Sequence, residues 1–258
     1  MKIRVLLICG FVLLISCQRS HEITVEQRET NSKINNKEAS SYNTQLGLAY
    51  LKQGNRPRAK HKLLLAMAQD PNSPSVNASM GYYLEQSGEI AEAKRYYLKA
   101  ISLSSADGAQ LNNYGAFLCR QKQYHDAEKY FLQATRDPHY EHTAGAYENA
   151  GLCALAIPDY SKASLYFSKA LEQDPSRRES LIEFIKIKLR YRQGEQALAY
   201  VHKYADQSLN DLTLLNLAIK AALQARKPAI AASYRMRLQQ ITPFSANSGV
   251  TTNDTLNS

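Results

Sequence analysis

Apolar positions recur along this chain in amphipathic helical segments set at a nearly fixed interval. Gly47, Gly81 and Gly115 are 34 residues apart, and Gly151 follows after 36. Small residues let two helix backbones approach, and a bulky residue fills the remaining space. Downstream of each glycine come an alanine, a bulky residue and a second alanine, namely Ala59, Ala93, Ala127 and Ala163, then Leu63, Tyr97, Phe131 and Phe167, then Ala66, Ala100, Ala134 and Ala170. The interval predicts a helix–turn–helix unit repeated along the chain.

This pattern resembles the tetratricopeptide repeat, in which L-G-x-x-Y precedes A-x-x-x-F and a closing proline. The sequence LGLAY at residues 46–50 matches the first element, and Pro71 and Pro175 each close a unit. Two more degenerate helical pairs follow at 181–204 and 212–238. The resemblance implies an all-α tetratricopeptide-repeat solenoid of about six helix–turn–helix repeats, with each unit burying its apolar face against its neighbours.

The first residues predict export. Lys2 and Arg4 precede an apolar run at 5–15, which is shorter than the roughly 20 residues that span a bilayer and is typical of a secretory signal. The sequence LISC at 14–17 resembles a bacterial lipobox, which implies that Cys17 is lipidated and becomes the mature N-terminus. The alternative is a plain signal peptide in which Cys17 has no such role.

The residue after Cys17 bears on the compartment. In Gram-negative lipoproteins an Asp at this place signals retention in the inner membrane, and here Gln18 occupies it. We therefore expect a lipid-anchored protein on the periplasmic face of the outer membrane. Four segments are predicted: a lipoprotein signal peptide at 1–16, a lipidated N-terminus with a flexible tether at 17–39, a tetratricopeptide-repeat superhelix at 40–243 and a disordered tail at 244–258.

Composition and charge limit the classes of partner. With 44% apolar and 21% charged residues the chain has ordinary globular composition, which excludes wholesale disorder. The formal net charge is +9, but the basic residues are interspersed with acidic ones and form no long block. A nucleic-acid partner is therefore not predicted, and solvated helix faces account for the charge.

The search for catalytic chemistry finds none of the common signatures. The chain has no G-x-S-x-G, P-loop, H-E-x-x-H or dinucleotide fingerprint. His139 and His142, with Glu141 between them, suggest a metal site, but no further ligand is at hand and an exposed loop between repeats explains them better. We expect no enzyme, cofactor, metal or small-molecule substrate.

The predicted function is protein binding. Tetratricopeptide proteins bind partners in a concave groove lined by the first helix of each repeat, and a bound segment can be extended or helical. By analogy, the residues expected to face this groove in the first three repeats are Ser41, Thr44, Leu48, Leu51, Lys52, Ala78, Tyr82, Glu85, Asn112, Ala116 and Arg120. The alternative is that some of these residues pack against adjacent helices and do not face the groove.

Two stretches go beyond the generic repeat. NNYGAFLC at 112–119 and AYENAGLC at 146–153 resemble the PilF/PilW family of type IV pilus biogenesis and stability proteins, as does AASYRMRL at 231–238. The resemblance implies a pilotin, an outer-membrane lipoprotein that helps the pilus secretin to reach that membrane and form its multimer. The alternative is a general periplasmic scaffold lipoprotein for envelope enzymes, such as those acting on peptidoglycan.

The cysteine count leaves one pair in the expected mature domain. Cys9 lies in the signal and Cys17 is assigned to lipid, so Cys119 and Cys153 remain. An oxidising periplasm permits a disulfide, although the sequence does not establish that the two residues touch. We hypothesise that they staple the third repeat to the fourth.

Overall fold

In the computed structural model, residues 35–204 and 210–241 are described. These residues form helices and connecting turns, with no strand among them. The first helix, α1, covers residues 35–52 of the described chain. The helices that follow are α2 (Arg56–Gln69), α3 (Pro74–Gln86), α4 (Ile90–Leu103), α5 (Gly108–Arg120), α6 (Tyr124–Ala134), α7 (Thr143–Ala156), α8 (Tyr160–Gln173), α9 (Arg178–Arg190), α10 (Gly194–Lys203), α11 (Leu212–Gln224) and α12 (Pro228–Ile241).

Within each unit, helices pair as the periodicity predicts, for example α3 with α4 in the first unit and α7 with α8 in the second. The chain divides into two compact units, one ending at Phe117 and the other beginning at Leu118, so that α5 belongs in part to each. The fifth and sixth repeats, which depart most from the repeat pattern, are helical pairs like the others (α9 with α10, and α11 with α12). The all-α repeat fold is thus confirmed.

In the first unit, close helix approach depends on glycines at the predicted positions. A Cβ on Gly47 would lie 2.7 Å from Cγ of Leu63, and one on Gly81 would lie 3.2 Å from Cδ2 of Tyr97. Leu63 and Tyr97 are the bulky residues of the repeat pattern, and both are buried. The ring of Tyr97 lies 5.0 Å from that of Phe117, extending the core from one repeat to the next within this unit.

The second unit contains a continuous apolar core that runs through its later repeats. Phe167, Leu181, Ile185, Leu214 and Leu215 are fully buried in it. Burial of each such side chain contributes about 1.5–3 kcal/mol relative to exposure. The degenerate repeats therefore keep the apolar face that stacking requires even where the signature letters are lost.

In five of the six repeats, the turn between the paired helices places one residue in the left-handed region. Gly54 and Gly88 have φ of +75° and +85°. Lys122, Arg192 and Arg226 have φ of +62°, +59° and +57° at the equivalent place in later repeats. The sequence predicts the first two turns through their glycines, whereas no glycine stands at the left-handed position in the later three.

Helix α1 begins before the predicted start of the repeat region. The repeat region was expected from residue 40, but α1 already includes residues 35–39, which were assigned to the tether. The signal at 1–16, Cys17 and the tail at 244–258 lie outside the described residues. Among the helices that are described, none combines the length and apolarity needed to cross a bilayer.

Candidate partner-binding surfaces

The first-repeat residues predicted to face a groove differ in exposure. Ser41 and Lys52 are exposed, and Leu48 and Leu51 are half-buried. Thr44 is buried, and its hydroxyl donates to the Ser40 carbonyl 2.8 Å away. Thr44 therefore presents almost no surface, because its polar group is satisfied within its own helix.

In the second repeat, Tyr82 is the predicted residue that reaches the surface, with 37% of its area exposed. Ala78 and Glu85 are buried. The Glu85 carboxylate accepts a hydrogen bond from the Tyr97 hydroxyl, with 3.3 Å between the oxygens. Glu85 is therefore held against the second helix of its own repeat, and the prediction that it is an exposed partner contact was wrong.

The third-repeat candidates lie along α5. Asn112 and Ala116, in the first unit, are half-buried. Arg120, in the second unit, is exposed in the last turn of the helix. Aromatic and Arg side chains dominate binding energy at many interfaces. Tyr82 and Arg120 are therefore the strongest anchors among the predicted residues, each within its own unit.

A disulfide joins the two remaining cysteines within the second unit. The Cα atoms of Cys119 and Cys153 are 5.8 Å apart and the bond closes a sequence separation of 34 residues. Cys153 is buried in α7 and Cys119 is half-buried near the end of α5. The bond joins the first helix of the third repeat to the first helix of the fourth, as hypothesised from the sequence.

Sequence reasoning missed a polar cluster at the fourth repeat. One Glu148 carboxylate oxygen accepts from the Ser180 hydroxyl at 2.7 Å, and the other accepts from the Arg177 guanidinium at 3.2 Å. Arg177 also donates to Asp174 at 3.1 Å. Counting back three residues from Gly151 places Glu148 at a first-helix position, but only the fold shows that it binds the start of α9.

A second polar cluster links two second helices. Glu128 accepts from the Lys162 ammonium at 2.8 Å and from the Tyr166 hydroxyl. Burial alone would raise the pKa of Glu128, but the hydrogen bonds from Lys162 and Tyr166 outweigh it and hold that pKa below its usual value. Burial and the bond to Glu128 raise the pKa of Tyr166, so the tyrosine remains a neutral donor.

The second unit also has a cleft that no sequence motif predicted. It has a volume of about 470 Å³ and lies among α8, α9 and α10. The rings of Phe184 and Tyr200 are 4.1 Å apart, and the Lys188 ammonium lies 4.9 Å from the Phe184 ring. Serines of α8, among them Ser164 and Ser168, complete the lining. This mixture of aromatic rings, hydroxyls and one cation suits an amphipathic peptide segment.

The metal interpretation of the His139–His142 loop gains no support from the geometry. Both histidines are exposed, and His139 lies 3.6 Å from Asp137. Within residues 35–204 and 210–241, no three His, Cys, Asp or Glu side chains are grouped so as to hold a metal ion.

Comparison with known proteins agrees with the repeat geometry. Tetratricopeptide repeat family models match residues 74–107 and 118–178, which makes this a tetratricopeptide repeat protein. Over 208 residues it is 31% identical to the type IV pilus assembly protein PilF of Pseudomonas aeruginosa, which covers 81% of this chain and 82% of the relative. The chain belongs to the PilF family.

Solved structures give the same result. The structure from a functional characterisation of Pseudomonas aeruginosa pilF superimposes with a TM-score of 0.64, covering 82% of this chain and 95% of that chain at 31% identity. A crystal structure of PilW, a widely conserved type IV pilus biogenesis factor, gives a TM-score of 0.62 at 24% identity and covers 80% of this chain and 95% of that one, which supports the fold. The resemblance to this family is confirmed. Tetratricopeptide scaffolds of this kind are typically non-catalytic and mediate protein–protein contacts.

Proposed function

We propose that this protein is a pilotin, a non-enzymatic outer-membrane lipoprotein that binds the secretin of a type IV pilus system. It promotes the localisation of the secretin to the outer membrane and its assembly into a multimer there. The observation that carries the proposal is the 31% identity to the type IV pilus assembly protein PilF across 81% of the chain. The lipobox at 14–17 supports the membrane address.

In this proposal the lipid and the repeats have separable roles. Acyl chains on Cys17 anchor the protein, since two or more chains give stable membrane attachment. The repeats supply the contact with the secretin. Tyr82 on α3 is the first candidate anchor in the first unit, because it is a partly exposed aromatic residue on the helix face that the repeat register assigns to partner binding. Arg120 is the corresponding candidate in the second unit.

The test compares heat-resistant secretin multimer in membranes from five strains. One lacks the gene, and the others carry the wild-type gene, Cys17→Ala, Tyr82→Ala or a control substitution. We expect multimer to be lost in the deletion strain, to accumulate at the inner membrane with Cys17→Ala, and to fall with Tyr82→Ala while the lipoprotein stays in the outer membrane.

The matched control is Leu103→Ala. Leu103 has 36% of its area exposed, close to the 37% of Tyr82, but it lies on a second helix. We expect the control strain to form wild-type multimer. Normal multimer in the deletion strain would reject the pilotin function, and capture of envelope enzymes would then be the next experiment. Equal loss with Leu103→Ala would reject the assigned face but not the function.

A further inference from the structure

The second helix of the first repeat has an apolar stripe on the side opposite its core contacts. Ala59, Leu63 and Ala66 are fully buried. At 100° per residue, His61, Leu64 and Leu65 project to the opposite side. Leu64 is 51% exposed and Leu65 is 36% exposed. We call this stripe, together with the flanking Arg58, Lys60 and Lys62, the α2 outer face.

The charges beside this stripe are of one sign. The α2 segment contains Arg56, Arg58, Lys60 and Lys62 and no acidic residue. In the part of the chain that the structure describes, no carboxylate lies within ion-pair distance of these four cations. Arg58 has an aromatic contact instead, with its guanidinium carbon 5.6 Å from the centre of the Tyr50 ring, which leaves its charge uncompensated.

These cations are also placed where they weaken the helix. The N-terminus of a helix carries partial positive charge, and acidic residues are favoured in its first turn. Here Arg56 and Arg58 occupy that turn, and no basic residue lies in the last turn. Helix stability therefore does not account for the arrangement, and a role outside the fold is indicated.

We infer that the α2 outer face binds the surface of a bilayer containing anionic phospholipid. A helix that lies in a membrane interface has apolar side chains directed into the lipid and Lys or Arg on both flanks, near the headgroups. Lys60 flanks the Leu64–Leu65 stripe on one side, and Arg58 and Lys62 flank it on the other. Each cation near an anionic surface strengthens binding about fivefold.

The position of this face in the chain supports a lipid partner over other polyanions. A fully extended chain from Cys17 to residue 35, where the described part of α1 begins, reaches at most about 60 Å. The first repeat therefore stays close to any bilayer in which Cys17 is anchored. This argument rests on the proposed lipid anchor, whereas the charge and the exposed leucines do not depend on it.

The second repeat provides a matched comparison at the same positions. Lys94 and Leu98 on α4 are the counterparts of Lys60 and Leu64, 34 residues on. Leu98 is 41% exposed. On α4, however, Glu92 contributes negative charge and pairs with Arg95 at 3.1 Å. Exposed leucine and lysine thus occur on both helices, and the unbalanced cluster of cations distinguishes α2.

The test measures binding of the chain 17–258, made without its signal segment and hence without lipid, to vesicles. The vesicles are phosphatidylcholine with phosphatidylglycerol at three to one, or phosphatidylcholine alone, and binding is read by co-sedimentation. Lys60→Glu with Leu64→Ser removes one cation, adds one anion and deletes one leucine. We expect at least a 25-fold loss of affinity for the mixed vesicles, and less than a threefold loss for Lys94→Glu with Leu98→Ser.

Arg58→Glu separates binding from folding. It replaces a cation of the α2 outer face by an anion in the first turn. The gain at the helix N-terminus offsets the lost contact with the Tyr50 ring, so the melting temperature is expected to stay about the same while affinity for the mixed vesicles falls about 25-fold. Equal losses for the α2 and α4 variant pairs would overturn the inference. Unchanged binding to the mixed vesicles in Leu64→Ser with Leu65→Ser would also overturn it, because charge alone, which any polyanion could match, would then account for the binding. Because no lipid on Cys17 and no secretin is involved, either failure leaves the pilotin proposal untouched.

Discussion

Gly151→Ala tests whether the close helix approach in the fourth repeat depends on the absence of a side chain. A Cβ at this position would lie 2.7, 2.8 and 2.9 Å from three ring carbons of Phe167, which is fully buried. Carbon atoms in contact are normally about 3.5–4.0 Å apart. The ring must therefore move by most of an ångström inside a packed core.

The expected magnitude follows from two opposed terms. An additional methyl group in a packed core costs about 1–3 kcal/mol, and the contact with three atoms of a rigid ring places this case at the upper end. Replacing a mid-helix Gly by Ala returns about 1 kcal/mol in helix propensity. We expect a net loss of about 1–2 kcal/mol, or roughly 2–8 °C in melting temperature for a domain of this size.

The equivalent substitution at Gly81 is the control. There the nearest atoms to an added Cβ are the Ala93 carbonyl oxygen and a Tyr97 ring carbon, both at 3.2 Å, so the strain is smaller. Gly81→Ala is expected to change the free energy of unfolding by less than about 1 kcal/mol, because the propensity gain offsets the tighter contact. Urea unfolding followed by far-UV circular dichroism measures both variants.

A double-mutant cycle identifies the cause. Phe167→Leu shortens the side chain that the new methyl group meets, so Gly151→Ala should cost at least about 1 kcal/mol less in that background. Additive effects of the two substitutions would refute the argument. Equal stability of Gly151→Ala and Gly81→Ala would refute it as well.

Three further predictions concern single features of the fold. Cys119→Ser with Cys153→Ser should lower the free energy of unfolding by about 3–4 kcal/mol, because in the chain-entropy account a bond closing a 34-residue separation removes that much unfolded-state freedom. Two reactive thiols in the non-reduced wild-type protein would contradict the disulfide itself. Glu128→Gln should cost about 1 kcal/mol at pH 7. Because folding lowers the pKa of Glu128, this stabilisation is complete above the ordinary Glu pKa of 4.5 and is lost as the pH falls through the lower folded-state pKa. Urea unfolding of the wild type and of Glu128→Gln should therefore give converging stabilities in acid. A difference in stability that stays constant across this pH range would contradict the prediction. Arg192→Gly should stabilise the chain by about 0.5–1 kcal/mol in thermal unfolding, because Arg192 has a φ of +59°, and a loss of stability would count against strain at this turn.

The helix pairing could be predicted because each repeat encodes both partners of its central contact. The glycine and the bulky residue sixteen positions later meet in the structure at Gly47 with Leu63 and at Gly81 with Tyr97. The relation is local, so it can be read without knowing how successive repeats stack. It also holds when the bulky residue changes from aliphatic to aromatic, because the position requires volume rather than a particular chemistry.

The surface could be predicted only in part. The repeat register gives the side of a helix on which a residue lies, but not how far a neighbouring helix covers that side. Thr44, Ala78 and Glu85 were assigned to a groove, yet all three are buried. Glu148 was overlooked because its partners, the Ser180 hydroxyl and the Arg177 guanidinium, lie about thirty residues away in sequence. Hydrogen bonds of this kind leave no periodic trace.

Places where a sequence opposes its own local structure are more informative about function than places where it agrees. Lys122, Arg192 and Arg226 have positive φ in the later turns, but packing of the surrounding helices holds such a residue in place despite its small free-energy penalty. The cations at the start of α2 differ, because an acidic residue there would interact favourably with the helix N-terminus. A charge that the fold disfavours, next to leucines that the fold does not bury, calls for a partner that favours both. An anionic bilayer satisfies that requirement, and Arg58→Glu tests it by separating stability from binding.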